Sequence, residues 1–178
     1  DSNAALRFPS VVFALAAPLV ALLPVRFMER DARLLWCGLV AAWTPGLWFT
    51  HDARPYAMLL FLAMLNTIAF AALLRETRTR NAVVWLGSAS LLILTHYFAG
   101  FLILAQGCLY LAFRRGRAIR TWPALPILLP VLGWIAFHAS RIQQFANPQF
   151  AAYHLLHVVD LQKCLGFVFG SQLITWAI

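Results

Sequence analysis

Charged side chains are scarce in this 178-residue sequence, where Asp, Glu, Lys and Arg make up 11% and hydrophobic residues 62%. A soluble domain is about 25% charged and about 45–50% apolar. The shortage of charge excludes an ordinary soluble globule, a disordered chain and a nucleic-acid-binding module. Cysteine is scarce too: the three residues form an odd set without metal-ligand spacing, which excludes a disulfide scaffold. This composition is typical of a polytopic membrane protein.

Six apolar runs without a formal charge divide the chain, and a seventh begins near Leu165. Each run is apolar on all sides, so lipid or neighbouring helices must surround it. Irregular backbone and open sheet edges are excluded from lipid, which predicts helices. We therefore expect an all-α, polytopic transmembrane bundle of about six spans, with a seventh left open. The runs are residues 8–25, 34–49, 56–74, 82–94, 97–113 and 122–137.

Residues 82–113 contain no formal charge, and arginine clusters flank them on both sides. A single helix of this length would be about 48 Å long, which exceeds a bilayer core of about 30 Å. If both arginine clusters face the cytoplasm, an even number of crossings separates them. The sequence therefore predicts a helical hairpin that turns at Thr95, His96 and Tyr97, with Gly100 close by.

Ten of the fourteen basic residues fall on one side of this arrangement, which the positive-inside rule makes cytoplasmic. We interpret the arginines after residue 113 as topology determinants that contact anionic lipid. Trp48, Trp85, Trp122 and Trp134 lie near the ends of runs, which predicts anchors at the membrane interface. The ten residues are Arg26, Arg30, Arg33, Arg75, Arg78, Arg80, Arg114, Arg115, Arg117 and Arg120.

Three regions follow from this pattern. Residues 1–137 form the transmembrane bundle, residues 138–163 an outer-face loop, and residues 164–178 the start of a further span. Asn147 before Pro148 is a helix-start signal, which predicts a short interfacial helix within the loop. The chain begins at Asp1 and ends inside an apolar stretch, so we expect a fragment cut at both ends.

The segment from His51 to Tyr56 is the sharpest local signal on the predicted outer face. Asp52 lies two residues before Arg54, and Pro55 with Tyr56 is typical of a helix start. The pair suits a polar substrate held by the carboxylate and a phosphate held by the guanidinium. A loop salt bridge beside an interfacial tyrosine is the structural alternative.

Arg7 and the His96–Tyr97 pair are predicted to lie on the same outer face. Arg7 suits a phosphate contact, whereas an arginine that reaches lipid headgroups is the alternative. A neutral His96 imidazole suits a metal ion or a substrate hydroxyl, whereas a hydrogen-bonded structural histidine is the alternative.

His154, His157 and Asp160 follow one another at three-residue steps. Such steps place side chains on one helical face, which is compatible with a metal site. The solvated face of an interfacial helix explains the pattern equally well, because zinc sites need more ligands at set separations. The sequence therefore identifies neither a metal nor a cofactor, although it is compatible with a divalent metal ion.

The order of three segments resembles the dolichyl-phosphate-mannose-protein mannosyltransferase-like family of bacterial membrane glycosyltransferases. This family has the GT-C fold and includes glycosyltransferase family 39 and relatives of the lipid A aminoarabinose transferases. The first segment, AALRFPS, opens a span. The second resembles the family's acidic-x-Arg-x-Tyr-Ala start of a later span, and the third its His-Tyr hairpin. The segments are residues 4–10, residues 51–57 and residues 95–107.

The resemblance implies an enzyme of the bacterial inner membrane that moves a sugar from a polyprenyl-phosphate donor to a lipid, glycan or protein acceptor on the periplasmic face. Attack at the anomeric carbon would invert its configuration. A carboxylate would act as general base or position the acceptor, and cations would stabilise the leaving phosphate. It implies catalytic roles for Asp52 and His96. The residues implied to bind substrate are Arg7, His51, Arg54, Tyr56 and Tyr97.

The main catalytic carboxylates of this family lie in a first outer loop, which would precede Asp1. The resemblance therefore implies that this fragment lacks them and is inactive alone. Two other functions stay open, namely a transporter or flippase subunit and a non-catalytic membrane scaffold. A transporter should show charges or broken helices near mid-bilayer, often in paired halves. The charges here lie at the ends of spans, although prolines within the first and sixth runs would permit kinks.

Overall fold

The computed structural model describes residues 3–23, 28–43 and 55–145, and within them the chain is all-helical, as predicted. Six α-helices and one 3₁₀ segment make up this described part. They are α1 (Asn3–Val20), α2 (Arg30–Ala42), α3 (Tyr56–Arg75), α4 (Thr79–Thr95), α5 (Ala99–Arg114), the 3₁₀ segment (Arg115–Leu128) and α6 (Leu129–Phe145).

Two helical stretches among the described residues are long and apolar enough to cross a membrane. One is Tyr56–Arg75 with 20 residues, and the other is Ala99–Ala139 with 41 residues, which joins α5, the 3₁₀ segment and most of α6. A third helix, Arg7–Val20, is apolar but shorter. The described residues thus supply two helices of sufficient length, and the six or seven predicted spans stay a prediction.

Helices α3 and α4 form an antiparallel hairpin that Asn66 ties together. The Asn66 side chain is fully buried, and its Nδ2 donates to the Trp85 carbonyl oxygen at 3.1 Å and to Ser88 Oγ at 2.9 Å. At the turn, Asn81 Nδ2 donates to the Glu76 carbonyl oxygen at 2.9 Å. A buried amide is stable between helices only when such partners accept its protons.

We expect Asn66→Ala to lower the free energy of unfolding by about 1–3 kcal/mol, since a buried polar group that loses its hydrogen-bond partner costs about this much. Thr67→Ala is the matched control, because Thr67 is exposed and its Oγ1 donates within its own helix, to the Ala63 carbonyl oxygen at 2.8 Å. Unfolding of the two variants in detergent micelles would be compared with that of the wild type. Equal stability of the two variants would mean that Asn66 does not hold the hairpin.

Helices α4 and α5 form the hairpin that the sequence predicts, with its turn between Thr95 and Ala99. Trp85 Nε1 donates to Gln106 Oε1 at 2.7 Å, and the Trp85 and Tyr110 ring centroids lie 6.1 Å apart. Trp85 is 6% exposed and lies in the main apolar core, so its interpretation as an interface anchor is wrong. The cause is Gln106, which gives the indole N–H a buried acceptor and removes its need for water.

The predicted sixth run does not form one α-helix. Its first half belongs to the 3₁₀ segment, which contains Pro123 and Pro126. Proline lacks the N–H of the α-helical ladder and its ring clashes with the carbonyl four residues earlier. In a 3₁₀ helix residues three apart share a face, so both prolines lie on one side. Helix α6 then continues beyond position 137, where the sequence predicted the bundle to end, to Phe145.

Helices α1 and α3 run in the same direction. The Phe13 and Phe61 ring centroids lie 5.5 Å apart. Later in both helices, Val20 and Ala21 of α1 share a buried cluster with Met64 of α3. The end of α1 is held by Arg33 of α2, whose Nη1 donates to the Leu23 carbonyl oxygen at 3.1 Å. A guanidinium at a helix C-terminus satisfies free carbonyl groups and opposes the negative end of the helix dipole.

Candidate aromatic site

The start of α3 and the turn between α4 and α5 meet at one end of the bundle. The ring centroids of Tyr56 and His96 lie 5.9 Å apart with an interplanar angle of 35°. This proximity follows from the topology, because α4 runs antiparallel to α3 and therefore ends where α3 begins. Two residues that the sequence assigned to the site are thus brought together across 40 positions of chain.

His96 is the centre of an aromatic cluster, which we define as Tyr56, His96, Tyr97, Phe98 and Phe101. The His96 ring stacks on Tyr97 with centroids 5.2 Å apart, and its centroid lies 5.3 Å from that of Phe98. Phe98 in turn lies 6.3 Å from Phe101. Tyr97 is 55% exposed and Phe98 51%, so a large part of each residue is accessible at this end of the bundle.

Hydrogen bonds at the turn between α4 and α5 hold His96 in place. The His96 N–H donates to the Leu92 carbonyl oxygen at 2.9 Å and closes α4, and the His96 carbonyl oxygen accepts from the Ala99 N–H at 3.0 Å. The Phe98 N–H donates to His96 Nδ1 at 3.3 Å. An Nδ1 that accepts a hydrogen bond carries no proton, so this contact favours the neutral tautomer with its proton on Nε2.

This tautomer determines what the half-buried imidazole can do. Nε2–H is a hydrogen-bond donor, and no described residue accepts from it. A donor surrounded by aromatic rings suits an anionic oxygen of an amphiphilic ligand, because the rings pack against apolar surface while the N–H satisfies the charge. Nδ1 is already engaged and is less suited to act as a base.

The other predicted site residues divide into two groups. His51, Asp52 and Arg54 lie outside the described residues, as does the predicted interfacial helix with His154, His157 and Asp160. Arg7 lies in α1 with its side chain exposed. Because α1 and α3 run in the same direction, Arg7 and Tyr56 both lie near the start of their helices and at the same end of the bundle.

Sequence reasoning missed Phe98 and Phe101. The signal was present, because His96, Tyr97 and Phe98 are three consecutive rings at a predicted turn. It also missed the polar residues within apolar runs, Asn66 and Gln106, which the structure shows to join neighbouring helices. Polar side chains within such a run are costly unless another helix satisfies them.

The arginine clusters lie at the end opposite to the aromatic cluster. Arg114 Nη2 donates to the Arg75 carbonyl oxygen at 3.4 Å, and Thr79 Oγ1 donates to the Arg120 carbonyl oxygen at 3.3 Å. The two clusters therefore share one end, which we call the arginine end, as the prediction of an even number of crossings required. The 20 residues of α3 separate the two ends by about 30 Å, which matches a bilayer core.

Within the described part of the chain, no group of three His, Cys, Asp or Glu side chains is placed to hold a metal ion. Comparisons with protein-family models, with curated proteins and with solved structures find no match for this chain.

Proposed function

We propose that this chain is the membrane-embedded part of a glycosyltransferase that takes a sugar from a polyprenyl-phosphate donor and passes it to an acceptor on the outer membrane face. The main support for this proposal is the aromatic cluster, in which the Tyr56 and His96 rings are in contact at the end of the bundle opposite to the arginines. A donor anchored in lipid presents its phosphate and sugar at that depth.

Membrane embedding accounts for the apolar surface of the bundle. Phe101, Phe113 and Phe137 are each more than 70% exposed, and they belong to helices that water would solvate poorly. In a bundle of six or seven spans that crosses a bilayer, the positive-inside rule places the arginine end on the cytoplasmic side. The aromatic cluster then faces the periplasm of a bacterial inner membrane.

The proposed reaction is a single displacement at the anomeric carbon. An acceptor hydroxyl oxygen forms a bond to that carbon while the bond to the phosphate oxygen breaks, which inverts the configuration and releases polyprenyl phosphate. Asp52 takes the hydroxyl proton or positions the hydroxyl. It precedes Tyr56 by four residues, and four residues of chain reach at most about 14 Å.

Donors that face the leaving phosphate lower the energy of the transition state. In this proposal His96 Nε2–H donates to a phosphate oxygen. Arg7, His51 and Arg54 supply further donors, and Tyr56 with Tyr97 packs against the sugar or the first prenyl unit.

Transport is supported less well than transfer. A transporter needs polar groups that face a pathway. The buried amides Asn66 and Gln106 instead bond neighbouring helices, so they hold the bundle together.

The test is release of polyprenyl phosphate from polyprenyl-phosphate-linked sugars by the intact protein in vesicles. We expect acceptor-dependent release with one of the donors and inversion of the anomeric carbon in the product. Transmembrane movement of the donor without cleavage would favour the flippase, and neither activity would favour the scaffold.

A further inference from the structure

Five arginines surround a cavity at the arginine end, between the α3–α4 turn and the start of the 3₁₀ segment. The cavity has a volume of about 450 Å³, and Glu76 is the carboxylate that lines it. Glu76 is engaged with Arg78, whose Nε lies 3.1 Å from its Oε2. The walls therefore carry a formal charge of +4 from five arginines and one glutamate. The arginines are Arg75, Arg78, Arg114, Arg117 and Arg120.

Several of these guanidinium groups have unused donors. Arg114 Nε is buried and has no hydrogen-bond partner among the described residues. Arg117 and Arg120 are exposed, and their side chains make no ion pair or hydrogen bond with any residue that the structure describes. Guanidinium groups that converge on one cavity bind a multivalent anion well, because the arginine fork matches phosphate oxygens.

The charged cavity continues into an apolar cleft. A neighbouring cavity of about 440 Å³ shares Arg114, Arg117 and Arg120 with it and adds Arg115 and Gly116. Arg115 and Gly116 also line a cleft of about 800 Å³ between α4, α5 and the 3₁₀ segment. The walls of this cleft are mainly apolar and include Leu86, Ile103, Gly107, Leu111 and Leu125.

We propose that this composite site binds one anionic phospholipid, with the phosphate among the arginines and an acyl chain in the cleft. Charge complementarity selects the phosphate, and the continuity from charged to apolar wall selects a lipid over a free phosphate. Basic pockets between membrane helices on the cytoplasmic side bind such headgroups. The inference rests on the proposed membrane embedding, but it does not depend on sugar transfer.

The experiment measures the association of spin-labelled phosphatidylglycerol and spin-labelled phosphatidylcholine with the intact protein in phosphatidylcholine vesicles. We expect the wild type to bind phosphatidylglycerol in preference to phosphatidylcholine. In Arg117→Gln/Arg120→Gln, this preference for phosphatidylglycerol should fall about tenfold or more. The matched control is Arg30→Gln/Arg80→Gln, which removes two arginines that are as exposed as the tested pair but lie outside the cavity, and it should retain the selectivity.

A second pair of variants tests the cleft without changing the charge. A Cβ added at Gly107 or at Gly133 meets no atom within 4 Å, so both positions have room for the first atom of a side chain. Gly107 lines the cleft and Gly133 does not. We expect Gly107→Leu to weaken phosphatidylglycerol association severalfold and Gly133→Leu to leave it unchanged.

Three results would overturn the proposal. Equal losses in the two arginine pairs would mean diffuse surface charge, and displacement of the labelled lipid by inorganic pyrophosphate would mean a site for soluble phosphate. Absence of any selectivity would mean that no such site exists. Extraction of the protein by alkaline carbonate would instead refute membrane embedding. A failure of the transfer assay would leave the lipid measurements unaffected, because lipid binding does not require sugar transfer.

Discussion

Asp52→Asn is expected to lower sugar transfer by the intact protein about 100-fold or more, with membrane insertion unchanged. Asparagine has the size of aspartate but cannot take a proton from the acceptor hydroxyl, and general-base catalysis contributes about 10²–10⁴-fold. The measurement is the rate of polyprenyl phosphate release at saturating donor. Insertion is followed by resistance to alkaline carbonate.

Asp31→Asn is the matched control for this prediction. Asp31 is an exposed carboxylate in the first turn of α2, near the end of α1 that Arg33 caps and far from the aromatic cluster. It should retain the wild-type rate. If Asp52→Asn also retained the wild-type rate, Asp52 would have no part in the site.

His96→Ala is expected to lower transfer about 10–100-fold, because it removes the Nε2–H donor from the leaving phosphate. A hydrogen bond to a charged group contributes about 1.5–3 kcal/mol. The control is His138→Ala, since His138 stacks on Trp134 of its own helix with ring centroids 4.6 Å apart and lies outside the aromatic cluster. The same release assay compares the two variants.

His96→Gln separates a donor from a base. The glutamine side-chain amide offers an N–H donor but cannot accept a proton at neutral pH. If His96 donates to phosphate, the glutamine variant should retain more transfer than the alanine variant. Equal loss in both variants would contradict the donor role that the hydrogen bond from Phe98 N–H to His96 Nδ1 suggests.

The distribution of arginine made much of the topology predictable. Clusters on both sides of residues 82–113 required the chain to return, and the structure shows α4 and α5 as that hairpin. The conformation of residues 115–128 was not predictable, because prolines in an apolar run are compatible with a kinked α-helix or with a 3₁₀ segment. The contacts with α4, such as Ser90 Oγ to the Ile127 carbonyl oxygen at 3.1 Å, decide between them.

The candidate site was predictable in part. Charge placed Tyr56 and His96 at the same end, and the structure brings their rings together. The tautomer of His96 depends on the position of the Phe98 N–H in the turn, which composition and spacing do not specify. Trp85 shows the same limit, because its partner Gln106 is 21 positions away and only packing brings it close.

We infer that the aromatic cluster and the arginine end face opposite sides of the membrane, with the aromatic cluster outside. This orientation is tested by labelling Ala53→Cys and Gly116→Cys with a membrane-impermeant maleimide on intact cells, after the three native cysteines are replaced by serine. We predict modification at position 53 and none at position 116 until the cells are opened. Modification at position 116 alone would show the opposite orientation and contradict this assignment. Equal modification at both positions would contradict a membrane-spanning bundle.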